Sequence, residues 1–155
     1  MREAKSLFSD VTWPEVVGHR LTYGEMDISL SIWMECFPAQ VFDYYVASHL
    51  MFASLLLGNP EEVNYVTDVA DAFLLPPAPD SDITVAEIDD ALGPDATVAS
   101  YGRVRLEFYE RITPAQRSCI GKFLELYLTY RGAGFTQQGV RIFERNRDYW
   151  LNSLR

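Results

Sequence analysis

The chain has 155 residues, a size typical of one domain that buries a substantial core. Its two cysteines are fewer than a disulfide scaffold needs, and its first residues contain no apolar run resembling a secretion signal, so we expect a cytoplasmic protein with reduced thiols. The net charge of −9 opposes attraction to phosphate at long range, which argues against nucleic-acid binding.

The charges are unevenly distributed along the sequence. No Lys or Arg occurs between Arg20 and Arg103, whereas residues 21–102 contain fourteen acidic residues. Residues 103–155 contain ten basic and five acidic residues. Such an uneven distribution of charge indicates either internal charge pairing or a charged partner, and it does not by itself define a fold.

Two structural signals precede the most apolar part of the chain. Residues 12–15 have the T-x-x-E form of a capping box, which predicts a short helix ending near Gly18. Residues 28–34, ISLSIWM, place apolar side chains at alternate positions, which favours a strand. A helix continuing directly into the next element would also accept these residues.

Residues 37–58 form the stretch around which the rest of the chain is organised. When it is wound as a helix, one face collects Phe42, Tyr45, His49, Phe52, Ala53 and Leu56. Asp43 and His49 interrupt the apolar run, which falls short of the ~18 uninterrupted apolar residues of a membrane span, and no Lys or Arg flanks it. The sequence therefore predicts a buried central helix and no membrane contact.

The next helix has a strong start signal at residues 59–62. An asparagine at the N-cap position is followed by a proline and by two carboxylates near the positive end of the helix dipole. The helix is expected to stop at the proline pair 76–77 and to turn Asp68 and Asp71 outward.

Two shorter segments follow. Val85–Leu92 predicts a short acidic helix that leaves Asp89 and Asp90 exposed near its end. Residues 103–109 alternate apolar and polar side chains, which predicts a second strand whose natural partner is the segment 28–34.

Two helices complete the chain. Residues 113–116 form another capping box with a proline at the first helical position, and the inner face of this helix includes Cys119, Phe123 and Tyr127. Glycines at 132 and 134 end it, and a last helix with Phe143 and Trp150 on its inner edge follows.

These elements predict a mainly α (α+β) fold in a single domain spanning residues 1–155. It is a helical bundle around the buried central helix, and the two alternating segments allow a small antiparallel two-stranded β element.

Three short motifs resemble those of a family of small uncharacterised bacterial proteins. They are the F-x-Y-Y run at residues 42–45, the T-P-x-Q-R run at residues 113–117 and the closing Tyr149-Trp150. The resemblance covers most of the chain and implies a helical fold. It implies no activity.

The sequence contains no motif that carries a known chemistry. Phosphate-binding loops, dinucleotide fingerprints, nucleophile elbows and short-spaced metal ligands are absent, so we expect no catalytic residue, no cofactor and no metal. His49 is expected to be a core imidazole hydrogen-bonded to a tyrosine or a backbone carbonyl. The alternative is a small enzyme with a solvent-open pocket built from Tyr44, Tyr45, His49 and carboxylates.

The acidic middle segment supplies the main functional hypothesis. We expect a non-enzymatic protein-binding protein, of the inhibitor or immunity type, that meets a basic protein surface such as that of a toxin or nuclease. The predicted partner-binding residues are Asp68, Asp71, Asp89 and Asp90. The competing hypothesis is an interaction domain in which residues 103–155 neutralise these acids within the fold.

Overall fold

Six α-helices are formed by the residues that the structure describes. The computed structural model describes residues 38–77, 81–92 and 98–152, without the side chains at 41, 44, 45 and 99–101. The helices are α1 (Ala39–Leu56), α2 (Val63–Ala72), α3 (Val85–Leu92), α4 (Val98–Arg111), α5 (Pro114–Arg131) and α6 (Gln137–Asn152). The mainly α class is thereby confirmed. The predicted helix at 12–18 and the predicted strand at 28–34 lie outside the described residues, and the single domain stays a prediction.

The predicted helix starts are confirmed by their hydrogen bonds. Asn59 accepts the Glu61 N–H on Oδ1 at 3.0 Å, and a short 3-10 turn, Pro60–Glu62, leads into α2. At the start of α5, the Thr113 N–H donates to Gln116 Oε1 at 2.8 Å, and the Gln116 N–H donates to Thr113 Oγ1 at 3.3 Å. These bonds satisfy amide groups that a helix leaves without an internal partner.

The predicted strand at residues 103–109 is wrong, because this segment belongs to α4. The buried positions of α4 recur every three or four residues, as a helix requires: Val98, Gly102, Arg105 and Phe108. Arg105 is only 1% exposed. Because an arginine occupies a core position, the apolar helical period is broken in the sequence, and the remaining alternation imitates a strand.

The core draws side chains from every helix, with its most continuous part at the end of α2. Phe42, His49 and Phe52 of α1 are buried, as the sequence predicts. Phe42 packs edge-on against Phe108 of α4, with ring centroids 5.0 Å apart. Residues 69–75 are all buried in succession. The chain therefore passes through the middle of the core where α2 ends.

Side chains from α4 and α6 satisfy the backbone of this buried turn. Trp150 Nε1 donates to the Phe73 carbonyl at 2.9 Å, and Arg105 Nη1 donates to the Leu74 carbonyl at 3.0 Å. The Leu75 N–H donates to Asn146 Oδ1 at 2.7 Å. A buried backbone group without a partner is costly, so these three side chains allow an irregular segment to lie in the core.

Helices α5 and α6 form an antiparallel pair joined by a 3-10 turn, Gly132–Gly134. Tyr127 packs edge-on against Phe143, with ring centroids 5.1 Å apart. Gly121 permits close approach, because a Cβ atom at this position would lie 2.7 Å from the Leu151 side chain. The inner face of α5 includes Gly121, and Cys119, predicted to be inside, is exposed.

Candidate functional site

The four acids predicted to bind a partner lie on two helices and in different environments. Asp90 is exposed on α3, while Asp68 on α2 and Asp89 on α3 are half-buried. Asp71 is 5% exposed, so the prediction that it faces outward is wrong. The last turn of α2 has buried residues on all sides, and a one-sided amphipathic pattern does not describe it. Partner binding by these residues stays a prediction.

Asp89 has a structural role that the sequence analysis did not anticipate. Its Oδ1 atom accepts the N–H of Val98, the first residue of α4, at 3.1 Å. A carboxylate is favoured at this position because the first N–H groups of a helix lack internal acceptors and carry partial positive charge. Asp89 therefore fixes the start of α4 against α3.

Asp43 in the acidic middle segment is paired with an arginine from the basic C-terminal segment. Arg111 Nη2 lies 2.8 Å from Asp43 Oδ1, and its Nε lies 2.8 Å from Oδ2. This two-pronged geometry is the strongest form of the arginine–carboxylate pair. The hydrogen bond to Asp43 raises the pKa of Arg111. The pair ties the start of α1 to the end of α4.

A second connection joins α6 to the residues that precede α3. Arg141 Nη2 lies 3.1 Å from Asp82 Oδ2, and Arg145 Nη1 donates to Ser81 Oγ at 2.8 Å. Desolvation by burial lowers the pKa of Arg145, although the nearby Asp82 carboxylate opposes that shift. The two arginines lie one turn apart on one face of α6. From there they contact residues 81 and 82, which precede α3.

Among the acids of the middle segment that the structure describes, Glu61, Glu87 and Asp90 are also exposed. Glu87 caps its own helix, since its Oε2 accepts the Thr84 N–H at 2.7 Å, and this backbone hydrogen bond lowers the pKa of Glu87. Glu61 lies in the first turn after Asn59. The internal pairs at Asp43 and Asp82 therefore leave exposed negative charge on this segment.

His49 is buried against α2. It is 4% exposed, and its Nδ1 lies 3.0 Å from the hydroxyl of Tyr65. That hydroxyl also lies 3.5 Å from the His49 carbonyl. This arrangement confirms the predicted core imidazole bonded to a tyrosine. The side chains of Tyr44 and Tyr45, which the enzyme hypothesis also uses, lie outside the described part of the structure.

A groove between α3 and α4 was missed by the sequence analysis. It has a volume of about 580 Å³, and its apolar lining includes Pro76, Val98 and Leu106. Glu107 and Glu110 of α4 stand at its edge and are exposed. The sequence signal for it is the helical spacing of residues 102, 106 and 110, which the predicted strand concealed.

Two kinds of feature are absent from the residues that the structure describes. None of the helices they form is both long and apolar enough to cross a membrane. Among the same residues, no three His, Cys, Asp or Glu side chains converge as a metal ion would require.

Comparison with known proteins gave no match, whether with family models, curated proteins or solved structures. The resemblance to a small bacterial family stays a prediction.

Proposed function

We propose that the protein is a non-enzymatic, cytoplasmic protein-binding protein of the inhibitor or immunity type. Its acidic middle segment, residues 21–102, would bind a basic surface on a partner such as a toxin or nuclease. The observation that carries this proposal is the 82-residue segment with fourteen acids and no Lys or Arg. A field of one sign raises the association rate with a partner of the opposite sign.

The internal arginine contacts support different roles for different acids of the middle segment. Asp43 and Asp82 pair with Arg111 and Arg141, and these pairs connect distant parts of the chain. Asp90 is exposed at the end of α3, a helix that contains three acids and no basic residue. Asp43 serves the fold through its pair with Arg111, and the exposed acids are the ones available to a partner.

The test compares two double variants that remove the same amount of charge. Asp90→Asn with Glu61→Gln removes exposed acids of the middle segment, and Glu125→Gln with Glu144→Gln removes exposed acids of α5 and α6. Partners are first isolated with the wild-type protein from the native host at low salt. Their association rate constants are then measured for both variants by surface plasmon resonance.

We expect the first variant to associate about threefold to tenfold more slowly at low salt, with the difference shrinking as salt is added. The control variant should stay within about twofold of the wild type. Equal slowing by both variants, or association indifferent to salt, would reject recognition by the acidic middle segment.

A further inference from the structure

The groove between α3 and α4 combines an apolar floor with an acidic edge. Pro76 and Val98 contribute to the floor, and Leu106 of α4, which is 36% exposed, lines one side. Gly102 lies against Pro76, and a Cβ atom at this position would make an ordinary contact 3.4 Å from it. The groove is open to solvent, and its volume of about 580 Å³ leaves room for an apolar side chain.

The charges around the groove have mostly one sign. Glu107 and Glu110 are exposed at its edge on α4. Arg103 also reaches the edge and lies 2.9 Å from Glu107, but its side chain is 91% exposed. The two glutamates outnumber Arg103, so the edge keeps a net negative charge.

The shape of the groove is fixed by bonds within the fold. Asp89 of α3 accepts the Val98 N–H at 3.1 Å and so sets the spacing between the two helices at the groove. Arg145 of α6 donates to Ser81, which leads into α3, at 2.8 Å. A groove with fixed walls loses less conformational entropy when it binds than a flexible surface would.

We propose that this groove binds an apolar side chain that is flanked by lysines or arginines on a partner protein. The apolar side chain fills the groove above Pro76 and Val98, and the flanking cations meet Glu107 and Glu110. The inference rests on the proposed function and adds to it the site and the chemistry of the recognised segment. Long-range charge sets the rate of encounter, and the groove selects which basic segment stays bound.

The experiment uses the ¹⁵N-labelled full chain and three synthetic pentapeptides as probes. The first is Lys-Lys-Leu-Lys-Lys, the second replaces its leucine by serine, and the third is Glu-Glu-Leu-Glu-Glu. Chemical-shift changes locate each peptide on the protein and give its dissociation constant. The protein variants are Leu106→Lys, which places a cation in the groove, and Leu126→Lys, a matched control on α5 at 44% exposure.

We expect the leucine peptide to shift the amides of Gly102, Leu106 and Glu110. It should bind about tenfold more tightly than the serine peptide, because part of the leucine surface leaves water. The acidic peptide should not bind. Leu106→Lys should weaken the leucine peptide at least tenfold, whereas Leu126→Lys should leave its affinity within about twofold.

Three outcomes would overturn the groove proposal: no binding of the leucine peptide, equal binding of the serine peptide, or shifts outside the groove. If Leu106→Lys unfolds the protein, Glu107→Gln with Glu110→Gln serves in its place, and unchanged affinity then counts against the proposal. The proposed function has its own test in the Asp90 and Glu61 variant. If the binding of a partner depends on Asp90 and Glu61 but not on Leu106, the proposed function is retained and the groove proposal is rejected.

Discussion

Replacing Asn146 by alanine should destabilise the protein through one buried backbone group. Asn146 is 1% exposed on α6, and its Oδ1 accepts the Leu75 N–H at 2.7 Å. Its Nδ2 donates to the Ile142 carbonyl, four residues earlier, at 3.0 Å. The alanine variant would leave the Leu75 N–H in the core without this acceptor, in the turn where α2 ends.

The size of the effect follows from two opposing contributions. An unsatisfied buried N–H costs about 1–3 kcal/mol. Alanine is a better helix former than asparagine, which returns roughly 0.5 kcal/mol. The free energy of unfolding should therefore fall by about 0.5–2.5 kcal/mol. For a chain of this size each kcal/mol lowers the melting temperature by about 2–4 °C, so the loss should lower it by about 1–10 °C.

Urea denaturation followed by circular dichroism measures this loss as a lower midpoint with an unchanged slope. Hydrogen exchange at the Leu75 amide gives a local measure of the same change. Asn152→Ala is the control, because Asn152 is exposed on the same helix. If Asn146→Ala changes the free energy of unfolding by no more than the control does, the bond to Leu75 does not hold the buried turn.

Three further predictions test other parts of the core. Phe52→Ala should lower the free energy of unfolding by about 3–5 kcal/mol, because Phe52 is only 5% exposed. Gly121→Ala should cost about 1–2 kcal/mol despite the better helix propensity of alanine, since its Cβ would lie 2.7 Å from the Leu151 side chain and 3.2 Å from its backbone nitrogen. Tyr127, whose pKa is raised by burial, should contribute stability that is fully present below about pH 10, the pKa of an unfolded tyrosine. That contribution is lost as pH rises further, so wild type should lose stability relative to Tyr127→Phe in alkaline urea titrations.

Each of these predictions has a control or a contradicting result. Leu55→Ala, at a position 70% exposed on the same helix as Phe52, should change stability by less than about 1 kcal/mol. Gly58→Ala meets no atom within 4 Å and should be nearly neutral. A stability difference between wild type and Tyr127→Phe that stays constant from pH 8 to pH 11 would show that this hydroxyl ionises as readily in the folded protein as in the unfolded chain.

Features that depend on a few adjacent residues could be predicted from the sequence. Asn59 and Thr113 cap their helices as expected, because an N-cap hydrogen bond spans only two or three residues and needs no tertiary contact. The sequence also predicts that His49 is hydrogen-bonded to a tyrosine or a backbone carbonyl, and the bond to Tyr65 is of this kind. An imidazole among apolar neighbours on a helix must find a polar partner when it is buried.

Features that depend on distant residues could not be predicted in this way. Arg105 is buried because the Leu74 carbonyl, 31 residues away, accepts its hydrogen bond. No local pattern contains that information, and the arginine hid the helical period of α4. The prediction that Asp71 faces outward is wrong for a related reason, because helix periodicity identifies only the apolar face of a helix. It cannot show that other elements will enclose the opposite face.

The two interpretations of the charge asymmetry are compatible because they use different acids. Arg111 and Arg141 of the basic C-terminal segment reach back to carboxylates of the acidic middle segment. Arg131 and Arg145 also reach back, but they donate to uncharged oxygens, the Asn59 carbonyl and the Ser81 hydroxyl. Arginines that bind neutral oxygens strengthen the fold without forming an ion pair through those bonds. Internal pairing can therefore connect the two segments while exposed acids such as Asp90 retain a field for a basic partner.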